Sequence, residues 1–568
     1  MSVQEPTLET RFSEALALHR KGDLKGAKAL YHEILTHFSD HLPVLHNLMH
    51  IFRQEKVYEN ALAIGEKIIS KTPNDPQIYN TMGTVYETTG NIEKAYEYYQ
   101  KAVKVDPKFI KAYNNIGVLF YKKRRYEDAA AVLELALKHA PEDTQTLCNL
   151  GAVYNQSKAY EKARDVLQKA IAVDGNTVGA YVNLGNVYNK LGKHMDALAC
   201  HIRALEFDSK SAANYANLAI SYKHLERYED AIEAFQKAIA IDPDFANAHF
   251  DLATTYLLLG EYVEGFKEYE WRFKKEEMLP LLHKHKYIFE KPKFAFDLPT
   301  EGKTLLLYSE QGFGDIIQFI RFAEPLKAIF PQLNLKVQCR EPLKPLLQTL
   351  PFIDEVVSRD EEAGAFDYQY AIMSLPFLFG ISKEEIVPDA YIPEQESTIS
   401  LDLHPVKYNI GLVWGGSVTG ESYPDKIFSP AQFAPLFDHI DIDLFSLQVG
   451  EDAKSLKECG IDEEQIVDLS PQLTDFQKTA SVIRQLDLVI TSDTSVAHLA
   501  GAMGKDVWIL LMKKADWRWG LESEDTPWYK NARLFRQTKQ GVWDDVFDRV
   551  FKALEEKYYI DILPEKVS

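Results

Sequence analysis

The sequence predicts two architectures in one chain: an all-α superhelix of repeated helix pairs over residues 8–274 and, beyond a linker at 275–301, a two-lobed α/β unit. Three observations predict this. Small residues recur every 34 positions without insertion through the first half. After residue 301 the pattern changes to short apolar runs alternating with helical stretches, the signature of parallel sheets. A turn-rich join near Pro388–Pro405 separates those runs into lobes at 302–398 and 405–568.

The repeat is read from its columns. Ala15, Met49, Gly83, Gly117, Gly151, Gly185, Ala219 and Ala253 occupy the small position, and three residues later stand Leu18, Phe52, Tyr86, Phe120, Tyr154, Tyr188, Tyr222 and Tyr256. Small residues let two helices approach while the larger side chains fill the remaining gap, and neither helix is stable alone. The pattern resembles the tetratricopeptide repeat, with eight units. The eighth is degenerate, carrying Gly265 where alanine is expected and then the tract "EYEWRF", as suits a terminal unit that docks onto something else.

A second column lies two residues before the small one: Ser13, Asn47, Thr81, Asn115, Asn149, Asn183, Asn217 and Asp251. Two residues on a helix is about 200° of rotation, so this column points away from the packed seam. An asparagine amide both donates and accepts, as an extended backbone requires of a partner; solvated polar side chains are the other reading. The column resembles the asparagine ladder on the concave face of the repeats in O-GlcNAc transferases. That resemblance implies acceptor binding by Asn47, Asn115, Asn149, Asn183 and Asn217.

Composition narrows the partners. Lys+Arg 64 against Asp+Glu 84 gives a net charge of -20, which repels nucleic-acid backbones and anionic membranes. The first thirty residues lack a signal-peptide pattern, and no apolar run approaches the length of a membrane span, so a soluble cytoplasmic protein is expected. Cys148, Cys200, Cys339 and Cys459 lie far apart, suggesting reduced thiols and no zinc site.

In the second half, candidate strands are "TLLLY", "LKVQC" and "YQYAIM" in one lobe and "NIGLVWG", "DLFSLQ", "DLVITS", "DVWILL" and "ARLFRQ" in the other. The stretch "SEQGFGDIIQF" follows the first strand. It is not a dinucleotide fingerprint, since Ile317 stands at the third glycine position, nor a P-loop, since no Gly-Lys-Ser/Thr follows. What remains is a tight turn through Gly312 and Gly314 with Asp315 at a helix start, facing the cleft beyond a strand's carboxyl end. Asp315 with Gln318 three residues later also reads as a capping pair. In the other lobe "DLVITSDTSVAHLAGAMG" is a strand, a polar turn and a short helix. Its first amides and the Thr494 and Ser495 hydroxyls suit an anion, with His498 on the same face to help neutralise it; an ordinary cap with a packed histidine is the alternative.

Together these loops, with "DWRWG", "PWYKNARLFRQ" and a closing "VWDDVF" helix, resemble the GT-B glycosyltransferase domain fused to tetratricopeptide repeats in bacteria and related to the heptosyltransferases. The resemblance implies that Asp315 is the base and that Gly312, Gly314, Asp493, Thr494, Ser495 and His498 hold the donor. In heptosyltransferases a basic residue early in the second lobe meets the donor phosphates. Here "SYPDKIFSP" offers Lys426, in surroundings that match loosely and also suit a surface lysine.

The expected activity is inverting, metal-independent protein O-glycosylation of Ser or Thr, with a nucleotide-sugar as co-substrate, no other cofactor and no metal site. Trp517, Arg518 and Trp519 read either as a stacking platform for base or sugar or as core. Flagellin-modifying transferases share this arrangement and use CMP-activated nonulosonic acids, which makes flagellin the leading acceptor by analogy. A lipid-linked or polysaccharide acceptor, or a repeat scaffold with an inactive transferase domain, are the other readings.

Overall fold

A computed structural model describes residues 7–394, 397–416, 426–437, 439–560 and 562. The chain divides into two compact units, Met1–Ile241 and Asp242–Ser568.

The first unit is a run of antiparallel helix pairs from Leu8–Arg20 and Leu24–His37 to Ala212–His224 and Tyr228–Ile241. The glycines of the small column explain the close packing. A Cβ at Gly83 would come within 2.5 Å of Tyr99, at Gly117 within 2.7 Å of Leu133, at Gly151 within 2.5 Å of Leu167, and at Gly185 within 2.3 Å of His201. Each contact joins the two helices of one repeat. Caps set the helix starts, with the side chains of Asp23, Asn91, Asp143 and Ser211 accepting from backbone amides of the first turn. The turn inside each repeat needs a left-handed residue. Gly22, Gly90 and Gly192 supply it, while Lys56, Arg124, Lys158 and Glu226 adopt the same conformation with φ between 58° and 63°.

The second unit opens with one more helix pair, Ala246–Leu259 and Tyr262–Tyr269. The second helix of this degenerate eighth repeat is built into the unit's core: Tyr262 stacks on Trp528 at 5.6 Å, and Phe266 meets Phe319 and Trp517 edge-on at 5.9 Å. Two parallel sheets follow. β1 (Thr304–Tyr308), β2 (Asn334–Cys339), β3 (Glu355–Ser358) and β4 (Tyr368–Ala371) pair in the order β3-β2-β1-β4. β5 (Tyr408–Val413), β6 (Ile442–Ser446), β7 (Val467–Asp468), β8 (Leu488–Ser492), β9 (Val507–Leu511) and β10 (Ala532–Arg536) pair in the order β10-β9-β8-β5-β6-β7.

The strands expected from apolar runs are all present, but β3 and β7 were not anticipated. β3 is short and opens on exposed Glu355, and β7 is a two-residue edge, so neither shows the apolar run that marks a strand buried on both faces. The stretch before β1 is docked rather than free. Phe294 N–H donates to the Gln369 carbonyl at 3.0 Å and Gln369 N–H to that of Pro292 at 3.1 Å, covering the open edge of β4. Among the described residues no helix is long and apolar enough to cross a membrane.

Candidate functional site

The site forms where two loops meet at the carboxyl ends of β1 and β8, the positions at which open α/β sheets hold ligands. From the first lobe comes Ser309–Gly312, leading into the helix Phe313–Phe319. This helix starts three residues before the capping pair suggests. Gly312 is its N-cap and donates its N–H to Oδ2 of Asp315 at 2.8 Å, so Asp315 caps from inside the first turn. Gln318, expected as the partner of that cap, is fully buried and accepts from Nε of Arg518 at 2.9 Å.

Arg518 is the residue that the sequence underrated. Its guanidinium crosses from the second lobe to pair with Oδ1 of Asp315 and holds Asp516 at 2.7 Å. Burial lifts the Asp315 carboxyl above its ordinary value; the Arg518 charge opposes this, and Asp516 and Asp493 add to the rise.

The second loop is built around Asp493. Burial alone would raise its pKa, yet the charge and hydrogen bond of Lys426, 2.9 Å away, hold it below the ordinary carboxylate range. Its other oxygen accepts from Nε1 of Trp519 at 2.9 Å. Lys426 is thus a half-buried member of this loop and not a surface lysine, and the residues before it, 417–425, lie outside those described. Thr494 occupies the N-cap position of the helix Ser495–Ala502 without a side-chain bond to its first turn, its hydroxyl lying instead 2.9 Å from that of Thr491, and Ser495 opens the first turn. The Ser492 hydroxyl is buried without a hydrogen-bond partner among the described residues.

His498 has a role different from the expected one. Its side chain is buried, Nδ1 lies 2.9 Å from the Tyr529 hydroxyl, and the ring stacks on Trp519 at 5.1 Å. Burial, with Arg518 nearby, lowers its pKa to about 3, so the imidazole is neutral and brings no charge to an anion. It serves instead as the surface against which Gly314 packs: a Cβ at Gly314 would come within 2.6 Å of its Cδ2. Trp517 and Trp519 are buried and carry no exposed face for stacking; the aromatic reading resolves to core.

Beneath the first loop lies a buried ionic knot. Arg272 of the "EYEWRF" tract donates to Glu310 Oε1 at 2.7 Å, to Glu270 Oε1 at 2.8 Å and to Ser374 Oγ at 2.7 Å. Gln311 Nε2 donates to the Tyr269 hydroxyl at 2.9 Å. The unusual charge and aromaticity of that tract were the only sequence signal for this support. Nearby, a cavity of about 480 Å³ is lined by Leu257, Tyr262, Lys383, Arg518, Leu521 and Pro527 among others.

In the first unit the asparagine column is partly drawn into the structure. Asn115 donates to Asn80 at 2.8 Å, Asn149 to Asn114 at 3.1 Å and Asn183 to the Cys148 carbonyl at 3.4 Å, each reaching the preceding repeat. Asn47 and Asn217 are likewise half-buried.

Comparison with known proteins agrees with this layout. Tetratricopeptide repeat families match residues 76–109, 110–143, 151–192, 176–244 and 224–265. Glycosyltransferase family 9 (heptosyltransferase) matches residues 369–542, a span that holds Lys426 and the Asp493 loop and begins after Asp315. Protein FlbA of Caulobacter vibrioides is 26% identical over 284 residues, covering 45% of this chain and 47% of its own length, so the chain spans about half of that relative. Among solved structures, YrrB, described as a TPR protein with an unusual peptide-binding site, is 27% identical over 32% of this chain and 95% of its own, with a TM-score of 0.27. A tetratricopeptide repeat protein from Parabacteroides merdae is 18% identical over 44% of this chain and 98% of its own, with a TM-score of 0.38. The chain therefore joins tetratricopeptide repeats to a glycosyltransferase family 9 domain.

Proposed function

We propose that the chain is a protein O-glycosyltransferase acting in the cytoplasm, its repeats holding an acceptor polypeptide and its second unit transferring a sugar from a nucleotide-sugar donor. The observation that carries this reading is the meeting of Asp315 with the Asp493–Ser495 loop across the two lobes, through Arg518 and Trp519. The acceptor hydroxyl oxygen attacks the anomeric carbon as its proton passes to Asp315. The bond from that carbon to the donor phosphate breaks, its electrons leaving with the phosphate. The helix-start amides at Ser495 and the Lys426 ammonium stabilise that charge. One displacement inverts the anomeric centre. The half-buried amides of the asparagine column offer the remaining hydrogen-bonding capacity that an extended acceptor backbone uses. Flagellin carrying a nonulosonic acid is the acceptor and sugar we favour.

The test is intact-mass analysis of filament protein from cells carrying the parental chain, no chain, or Asp315→Asn. A glycan mass increment present only with the parental chain is expected, with transfer in the variant reduced by about two to four orders of magnitude. An unchanged filament mass in cells without the chain would exclude flagellin as acceptor.

A further inference from the structure

We propose that Arg518 is the positioning residue of the base: reaching across from the second lobe, its guanidinium keeps the Asp315 carboxylate charged and fixed in place. The inference rests on the reading of Asp315 as the base. The guanidinium is held in one orientation. Nε donates to Gln318, Nη1 to Asp516 and Nη2 to Asp315, while the Trp517 ring lies 4.4 Å and the Phe319 ring 5.8 Å from its central carbon. Arginine's rigid fork of donors suits such a clamp, and lysine could satisfy only part of it.

The charges around the carboxylate explain the need. Asp315, Asp493 and Asp516 bring three carboxylates together, and among the described residues their ion-pair partners are Lys426, taken up by Asp493, and Arg518. The other titratable groups facing Asp315 add no charge: the Tyr269 hydroxyl is buried with its pKa raised, and His498, packed on Gly314, is neutral. Within its own lobe, Asp315 is stabilised by accepting from the Gly312 N–H. Without Arg518 the carboxyl would be buried beside like charges with nothing across the lobes to oppose the rise in its pKa, leaving less carboxylate to accept the proton of the attacking hydroxyl. Asp516 acts in the opposite sense, drawing on the same guanidinium.

The test reads the Asp315 carboxyl directly, by infrared difference spectra between each full-length chain and its Asp315→Asn counterpart across pH 5 to 9. In parallel, purified chains are added to an extract of cells lacking the gene, and glycan transfer to the extract's own proteins is followed by intact mass over the same range. Arg518→Gln should move the protonation midpoint up by about one pH unit or more, cut transfer at pH 7 about tenfold or more, and recover part of it at high pH; Arg518→Lys should fall between. Asp516→Asn should move the midpoint down, and it decides the matter if Arg518→Gln does not fold. A midpoint unmoved in the folded variants, or transfer lost equally at every pH, would overturn the inference while leaving Asp315 as base. Full transfer by Asp315→Asn would instead overturn the base reading and this inference with it.

Discussion

Gly314 of the first lobe lies directly against the imidazole of His498 in the second, so close that a Cβ at position 314 would meet Cδ2 at 2.6 Å. The ring cannot yield, because the Tyr529 hydroxyl holds one edge and Trp519 one face. Gly314→Ala should therefore destabilise the second unit by about 1–3 kcal/mol through overpacking, and lower transfer by displacing Asp315. Thermal unfolding and transfer of Gly314→Ala, alone and combined with His498→Ala, check this. The double variant should regain part of the loss, and an additive pair would show that the contact does not set the loop.

Left-handed residues in the repeat turns make a second case. Lys158 holds φ at 63° where the equivalent Gly192 holds 71°. A side chain in that region costs about 1–2 kcal/mol, so Lys158→Gly should raise stability and Gly192→Ala lower it by a similar amount, less what glycine gains in unfolded-chain entropy. Urea unfolding followed by helical circular dichroism reads both signs.

Acid should weaken the protein through two buried histidines. Burial lowers the pKa of His201 to about 4 and of His498 to about 3. Below pH 6.5 the unfolded chain protonates each ring while the folded chain does not. Their stability is full above that pH and is lost as pH falls, by about 1.4 kcal/mol per pH unit for each histidine. His201→Leu copies the residue found at Leu133 and Leu167, and the difference in melting temperature between parent and variant should swing toward the variant between pH 7 and 5. A difference constant with pH would mean that His201 titrates normally.

The asparagine column should show two effects at once. Changing Asn115, Asn149, Asn183 and Asn217 together to alanine removes the three hydrogen bonds described above between repeats, at about 0.5–1.5 kcal/mol of stability each. Under the proposed function it also costs about 2–6 kcal/mol of acceptor affinity if the sites add. Transfer to full-length acceptor below the melting range is the measurement. Undiminished transfer would mean that the amides serve only to join repeats.

The repeat architecture, the two parallel sheets and the two loops were legible in the sequence because each is written locally. A period of 34, apolar runs flanked by turns, and glycines and hydroxyls at a strand's end all act within a few residues of one another. Tertiary structure alone decided which groups face which charge. Arg518 and Asp315 are separated by 203 positions, and Arg272 and Glu310 by 38, with no pattern linking either pair. Tertiary packing likewise turned His498 from a prospective cation into a neutral wall for Gly314, and Trp517 and Trp519 from a prospective platform into core. The physical reason is that periodicity and capping are properties of a single segment, whereas desolvation and ion pairing depend on what the rest of the chain brings within a few ångströms.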